Sequence, residues 1–223
     1  MTIENSKARL FAPLTLLFFG VFMSFALQAQ TEPQKEPQKV VEETVNAIVK
    51  NIQVNRDLYK KDKPAFYKMF EETLIPALHM PRMSKLILGR KAAGKSTPAQ
   101  RDAFTKEFEA SLIYTYSLLL LEFIGDDKVV YGDVEMNDSG DKAVVNATFV
   151  SSTGASYAMV MYMSNRGDTR WRAYNLEVNG QDAVRTFRST YSAIIEKKGV
   201  EGLVTDLRKS NSELAKIWGR DEG

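Results

Sequence analysis

The sequence predicts an α+β domain, and three observations predict it. Apolar residues recur at helical spacing as far as Ile124, alternate with polar ones from Val129 to Val178, then return to helical spacing from Asp182 onward. The alternating stretch is cut by three short segments rich in turn-forming residues, NDSGD, SSTGA and SNRGD, so its four strands run as an antiparallel meander. The 223 residues, 44% hydrophobic and 26% charged, are enough for one ordinary globular core. The predicted order is N-terminal helices, a four-stranded antiparallel sheet, then helices that cover its open face.

The first 29 residues are a different material. Lys7 and Arg9 precede an apolar run from Leu14 to Leu27, and Ala29 offers a cleavage site before Gln30. Residues 1–29 are expected to be a secretory signal peptide. An uncleaved anchor is the alternative, but the run is short for a membrane span and Pro13 interrupts its approach. With no cysteine, the chain cannot be lipidated at a signal cleavage site, form disulfides or use thiolate chemistry. The full chain carries +2; losing Lys7, Arg9 and Glu4 with the signal leaves +1, a balance that calls for no nucleic acid. Residues 30–39, polar with two prolines, are expected as a mobile linker ahead of a single domain over 40–223.

The first helix places Val41, Val45, Ile48 and Ile52 on one face. A second begins near Pro64 with Phe66, Phe70 and Leu74 and ends at Pro76, where the ring cannot continue an unstrained helix. Pro81 opens a short third, with Met83, Leu86 and Ile87 apolar and Gly89 as its C-terminal cap. The longest helix runs from Thr97 to Ile124. Thr97 is a good N-cap, Pro98 suits the first helical position and Gln100 completes a capping box. Phe104, Phe108, Leu112, Tyr116, Leu120 and Ile124 follow at four-residue steps, and Leu118 to Leu121 are apolar all round, so this helix is covered from several sides or lines something apolar.

The strands are expected over Val129–Met136, Lys142–Val150, Ser156–Met163 and Thr169–Val178. Ala143, Val145, Ala147 and Phe149 give one a small-residue inner face; Met159, Met161 and Met163 give the next a flexible, polarisable one. Two helices close the chain. Val184, Phe187, Tyr191 and Ile195 mark the first, which stops at Gly199; Leu203, Leu207, Leu214 and Ile217 mark the second.

Catalytic or ligating chemistry finds little support. Gly89 to Ser96 spells GxxxxGK[ST], the phosphate-cradling loop of nucleotide hydrolases, but that loop needs a buried strand before it and a helix starting at its Gly-Lys. Here a helical pattern precedes and the next helix starts too late, so no nucleotide site is expected. His79 is the only histidine, and without cysteine a transition-metal site would need carboxylates alone; no metal site is expected. No G-x-S-x-G nucleophile elbow occurs. Arg166, Arg170, Arg172, Arg185 and Arg188 bracket the last strand and the following helix, mostly as surface or paired cations able to meet an anionic head group or an acidic partner.

Two blocks carry a family resemblance. Met83-Ser84-Lys85-Leu86-Ile87-Leu88-Gly89, followed by Ser96-Thr97-Pro98-Ala99-Gln100-Arg101 and Phe104, resembles the helix-loop-helix of the toluene-tolerance or MlaC family of periplasmic phospholipid-binding proteins. Trp171-Arg172-Ala173-Tyr174-Asn175-Leu176, with Val178, Gly180, Val184, Phe187 and Arg188, resembles that family's ending, and Gly199 with Gly202-Leu203 its tail. Asn175 stands where the family usually has Asp, Asp182 lies in the region of its Gly-Val-Ser, and Phe187 replaces Tyr. The resemblance implies a cone of helices around a curved sheet, of the nuclear-transport-factor-like type, with an apolar cavity for acyl chains. It implies a soluble periplasmic phospholipid carrier maintaining outer-membrane lipid asymmetry. Its implied partners are an outer-membrane lipoprotein–porin complex and an inner-membrane ABC transporter with its MCE-domain protein. It implies no cofactor beyond the lipid cargo and no enzymatic activity.

Candidates for the lipid-facing surface, chosen by face, are Leu74, Leu78, Met83, Leu86, Ile87, Phe104, Phe108, Leu112, Tyr116, Val145, Ala147, Phe149, Met159, Met161, Tyr174, Leu176, Tyr191 and Ile195. Periodicity does not separate cavity wall from solid core, and about half are expected to be core. Two other classes stay open: an enzyme of the same cone fold acting on a small apolar substrate, which needs an ionisable pair facing inward, and an adaptor with a filled interior.

Overall fold

A computed structural model describes residues 37–123, 127–167 and 170–220. The expected signal peptide, and the linker up to residue 36, lie outside the described residues. So do Ile124 and Thr169, the expected end of the longest helix and start of the last strand. Helix α1 (Pro37–Lys61) begins inside the stretch expected as linker and bends at Asn55. Asp62 then caps α2 (Lys63–Thr73) by accepting from the Ala65 amide at 2.9 Å, and a single 3₁₀ turn at Ile75–Ala77 carries Pro76.

Helix α3 (Met80–Lys95) corrects one expectation. Gly89 does adopt a left-handed conformation (φ +73°), yet the chain regains helical geometry after it and runs on to Lys95. Glycine is required there because a Cβ makes that conformation costly. The GxxxxGK[ST] letters therefore sit on a bent helix preceded by helix.

Helix α4 (Pro98–Phe123) starts as its residues dictate. The Thr97 hydroxyl accepts from the Gln100 amide at 3.2 Å and the Gln100 side chain accepts from the Thr97 amide at 3.0 Å. Two amide donors that a helix start would otherwise leave open are thus satisfied. Thr97→Ala is expected to lower unfolding free energy by about 1 kcal/mol, seen as a shifted urea midpoint at unchanged slope; an unmoved midpoint would show the cap to be idle.

The sheet comprises β1 (Lys128–Met136), β2 (Lys142–Val150), β3 (Ser156–Ser164), β4 (Arg172–Val178) and β5 (Gln181–Asp182), hydrogen-bonded in that order and antiparallel throughout. The pattern of alternation predicts four strands, and the structure adds a fifth. It is a two-residue return across Asn179-Gly180, both at positive φ (48° and 79°), the backbone that a tight hairpin requires and that this dipeptide favours. Across the central pair, Val145 lies opposite Met161 and Ala147 opposite Met159, so the small-residue and methionine faces are one surface.

Helix α5 (Ala183–Ile217) contains both expected C-terminal helices, divided at Gly199 (φ +70°). Its start is held twice: Asp182 accepts from the Arg185 amide at 2.7 Å, and buried Asn175 on β4 accepts from the Val184 amide at 3.1 Å while donating to the Asp182 carboxylate at 2.9 Å. Asn175 and Asp182, two departures from the family pattern, are therefore one unit, an amide that complements a carboxylate. Asn175→Asp is expected to set two carboxylates against each other and cost about 2 kcal/mol near neutral pH. The charge repulsion raises a carboxyl pKa in the folded state, so the loss should shrink as acid protonates the pair. A melting-temperature deficit independent of pH would contradict this.

Candidate functional site

The buried apolar side chains of the described residues form three separate clusters. The first joins α1, α2, α4 and the end of α5 through Tyr59, Phe66, Phe70, Tyr114 and Trp218. The second joins α3, α4 and α5 through Met83, Ile87, Phe104, Phe108, Tyr191 and Leu203. The third joins the inner face of the sheet to the start of α1 through Val41, Val145, Ala147, Met161, Met163 and Trp171. Half-buried Ile75 packs against both the first and the second, whereas no half-buried apolar side chain among the described residues is common to the sheet cluster and either helical one.

The lipid-facing candidates divide among these clusters. Met83, Ile87, Phe104, Phe108 and Tyr191 are buried in the second, with Leu78, Leu86, Leu112 and Ile195 half-buried against it. Val145, Ala147 and Met161 are buried in the third, with Met159 and Leu176 half-buried against it. Leu74 instead lies against the first. Tyr174 is half-buried with its ring 3.8 Å from the Arg82 guanidinium, and Phe149 lies at the more open end of the sheet face, its ring 6.1 Å from that of Tyr157.

Tyr116 is 46% exposed and meets only the edge of the second cluster, its ring perpendicular to Phe187 at 6.2 Å. The reason is geometric. A helix turns about 100° per residue, so steps of four drift by about 40° each, and a row counted from Phe104 has left the buried side by Tyr116. Ile113, Tyr114 and Leu121 replace it, facing the first cluster instead. The single stripe expected along α4 is two faces, one for each helical cluster.

Several buried participants were absent from the candidates: Val184 and Val204 in the second cluster, Ala143, Met163 and Trp171 in the third. Ala143 and Met163 were legible, since they continue the alternation of Val145 and Met161. Trp171 lies inside the expected strand Thr169–Val178 but on the opposite alternation from Tyr174 and Leu176, and in the structure it stands just before β4.

No aspartate, glutamate, lysine, arginine or histidine is among the described residues of these clusters. Among the described residues the buried polar side chains, tyrosines aside, are Ser84, Ser96, Ser117, Ser164, Asn175 and Asn211. Burial among Phe104, Phe108 and Phe187, with a smaller contribution from Tyr116, pushes the Tyr191 phenol up to about 12, so it is neutral at any physiological pH. No group of three His, Asp or Glu side chains among the described residues is placed to hold a metal ion, and no described helix is long and apolar enough to cross a membrane.

Comparison with known proteins gives a consistent picture. The family model described as MlaC protein matches residues 42–209. A curated relative, a toluene tolerance protein of Pseudomonas putida, is 28% identical over 152 residues, which span 68% of this chain and 69% of the relative. A phospholipid-binding protein of Ralstonia solanacearum, whose structure was solved in complex with a phospholipid, superimposes with a TM-score of 0.72 over 81% of this chain and 99% of its own, at 22% identity. That likeness establishes the shared fold.

Proposed function

The chain belongs to the MlaC family, and from that premise we propose that it is a soluble periplasmic phospholipid carrier whose acyl cargo lies against the apolar faces of the sheet and of the α3–α4–α5 cluster. The observation that carries the proposal is the division of the buried apolar side chains into separate clusters on the sheet and on the helices. Methionine and alanine on the sheet face suit a surface that must accommodate chains of varying length and unsaturation. The phospholipid complex of the Ralstonia relative is consistent with the same use of the fold.

The energetics demand enclosure. About 30 methylenes at about 0.8 kcal/mol each make roughly 24 kcal/mol of unfavourable hydration for a diacyl lipid standing in water. A carrier must hide nearly all of that surface, and it can do so with little head-group contact, so weak head-group selectivity is expected. The signal sequence directs the chain to the periplasm. There it would exchange lipid with an outer-membrane lipoprotein–porin complex and an inner-membrane ABC transporter bearing an MCE-domain protein. Tyrosines aside, the buried polar side chains of the described residues are serines and asparagines, a neutral set that suits a carrier better than an enzyme on the same frame.

Native mass spectrometry and solvent extraction of protein purified directly from cells test this reading. Glycerophospholipid at about one molecule per chain is expected. Protein that yields none, and takes none up from added vesicles, would remove the carrier function.

A further inference from the structure

A recess of about 900 Å³ lies where α3, α4 and α5 meet, and its charged lining consists of Arg82, Lys85, Arg90, Arg101 and Arg188, with no carboxylate among them. The rest of its wall is Leu86, Gly89, Ala93 and Gly94. Its volume falls in the range of small-molecule sites.

Three of these cations are held in place by neutral partners. Arg188 donates through Nε to the Leu86 carbonyl at 2.9 Å and through Nη2 to the same oxygen. Arg101 donates through Nη1 to the Ala93 carbonyl at 3.2 Å and to that of Ser96. Arg82 lies 3.8 Å over the Tyr174 ring. Carbonyls and a ring fix orientation without cancelling charge. Lys85 and Arg90 are exposed, and none of the five joins an ion pair among the described residues, whereas Lys198, Arg166 and Arg208 elsewhere on the surface each do. Five positive charges around one concavity repel one another unless an anion enters. Guanidinium forks fixed on three different helices suit the several oxygens of a phosphate better than they suit a single carboxylate.

We propose that this recess is a binding site for a phosphate-bearing anion, separate from the apolar faces that would hold acyl chains. It differs from a nucleotide-binding P-loop in that the contacts come from side chains of three helices, not from the amides of the Gly89–Ser96 stretch. The proposal does not rest on the carrier reading: protein that releases no phospholipid can still bind here, and the reverse.

Two probes distinguish the sources of such an anion. Inorganic phosphate is titrated into the full-length mature protein by calorimetry, and co-sedimentation is measured with phosphatidylcholine vesicles with and without phosphatidylglycerol. The variant is Lys85→Gln/Arg90→Gln, at two exposed positions of the recess; Lys60→Gln/Lys61→Gln on α1 removes equal charge elsewhere. Saturable binding of phosphate identifies a site for a free anion, and binding only to the phosphatidylglycerol vesicles identifies a lipid-surface site. In either case the recess variant should bind about twenty-five-fold more weakly, at roughly fivefold per cation, with the α1 variant much less affected. Binding of neither probe, or equal weakening in both variants, would overturn the proposal.

Discussion

Met159→Arg is expected to strip the protein of bound phospholipid while leaving it folded. Met159 is half-buried on the inner face of β3, opposite Ala147 on one neighbouring strand and Val178 on the other. In the empty protein a long guanidinium stem can lie along the sheet and bring its head to water. With acyl chains in place the same charge would be surrounded by hydrocarbon, at a cost of about 3 kcal/mol, or on the order of a hundredfold in occupancy. Val130→Arg is the matched control, since Val130 is 58% exposed on β1. Lipid extracted per mole of folded protein should collapse in the first variant and persist in the second. Equal lipid content in both would mean that the sheet face is ordinary core.

The second large effect is structural. Trp218 stands just beyond α5, 2% exposed, with its ring parallel to Phe66 at 6.3 Å and perpendicular to Tyr67 and Tyr114 at 6.3 and 5.5 Å. Its amide donates to the Leu214 and Ala215 carbonyls, and Arg220 two residues on covers the Tyr67 ring at 3.5 Å. One side chain thus ties the C-terminus to α2 and α4. Trp218→Ala should cost about 3–5 kcal/mol, because the aromatic neighbours cannot collapse into so large a void. For a domain of this size that is a fall of about 10 °C in melting temperature. A loss below about 1 kcal/mol, read from chemical denaturation, would show the aromatic cluster to be dispensable.

A subtler tie lies between α4 and α5. Buried Asn211 donates to the Glu107 carbonyl at 2.9 Å and to its carboxylate at 3.0 Å, and accepts from Ser111 at 2.8 Å, while Arg208 pairs with the same carboxylate at 2.8 Å. This cluster ties α4 to the part of α5 beyond Gly199 through one carboxylate and one buried amide. Nothing in the pattern around Asn211 sets it apart from an exposed helical asparagine.

That contrast marks the division between what is local and what is not. The α+β order, the capped start of α4, the three turns between the main strands and the stop at Gly199 are decided by residues within one or two turns of each other, so they can be read from the chain directly. The Asn179-Gly180 hairpin was equally local and was legible. Tertiary structure alone decides which apolar surfaces meet. Periodicity reports which side of a helix or strand avoids water, not what lies across from it. The three-way division of the buried side chains, the rotation of α4 between two clusters, the anchoring by Trp218, and the gathering of Arg82, Arg101 and Arg188 in one recess all join side chains distant in sequence. Such contacts exist only once the helices have docked, because whole elements coming together, and not the preference of any residue, bring their partners within reach.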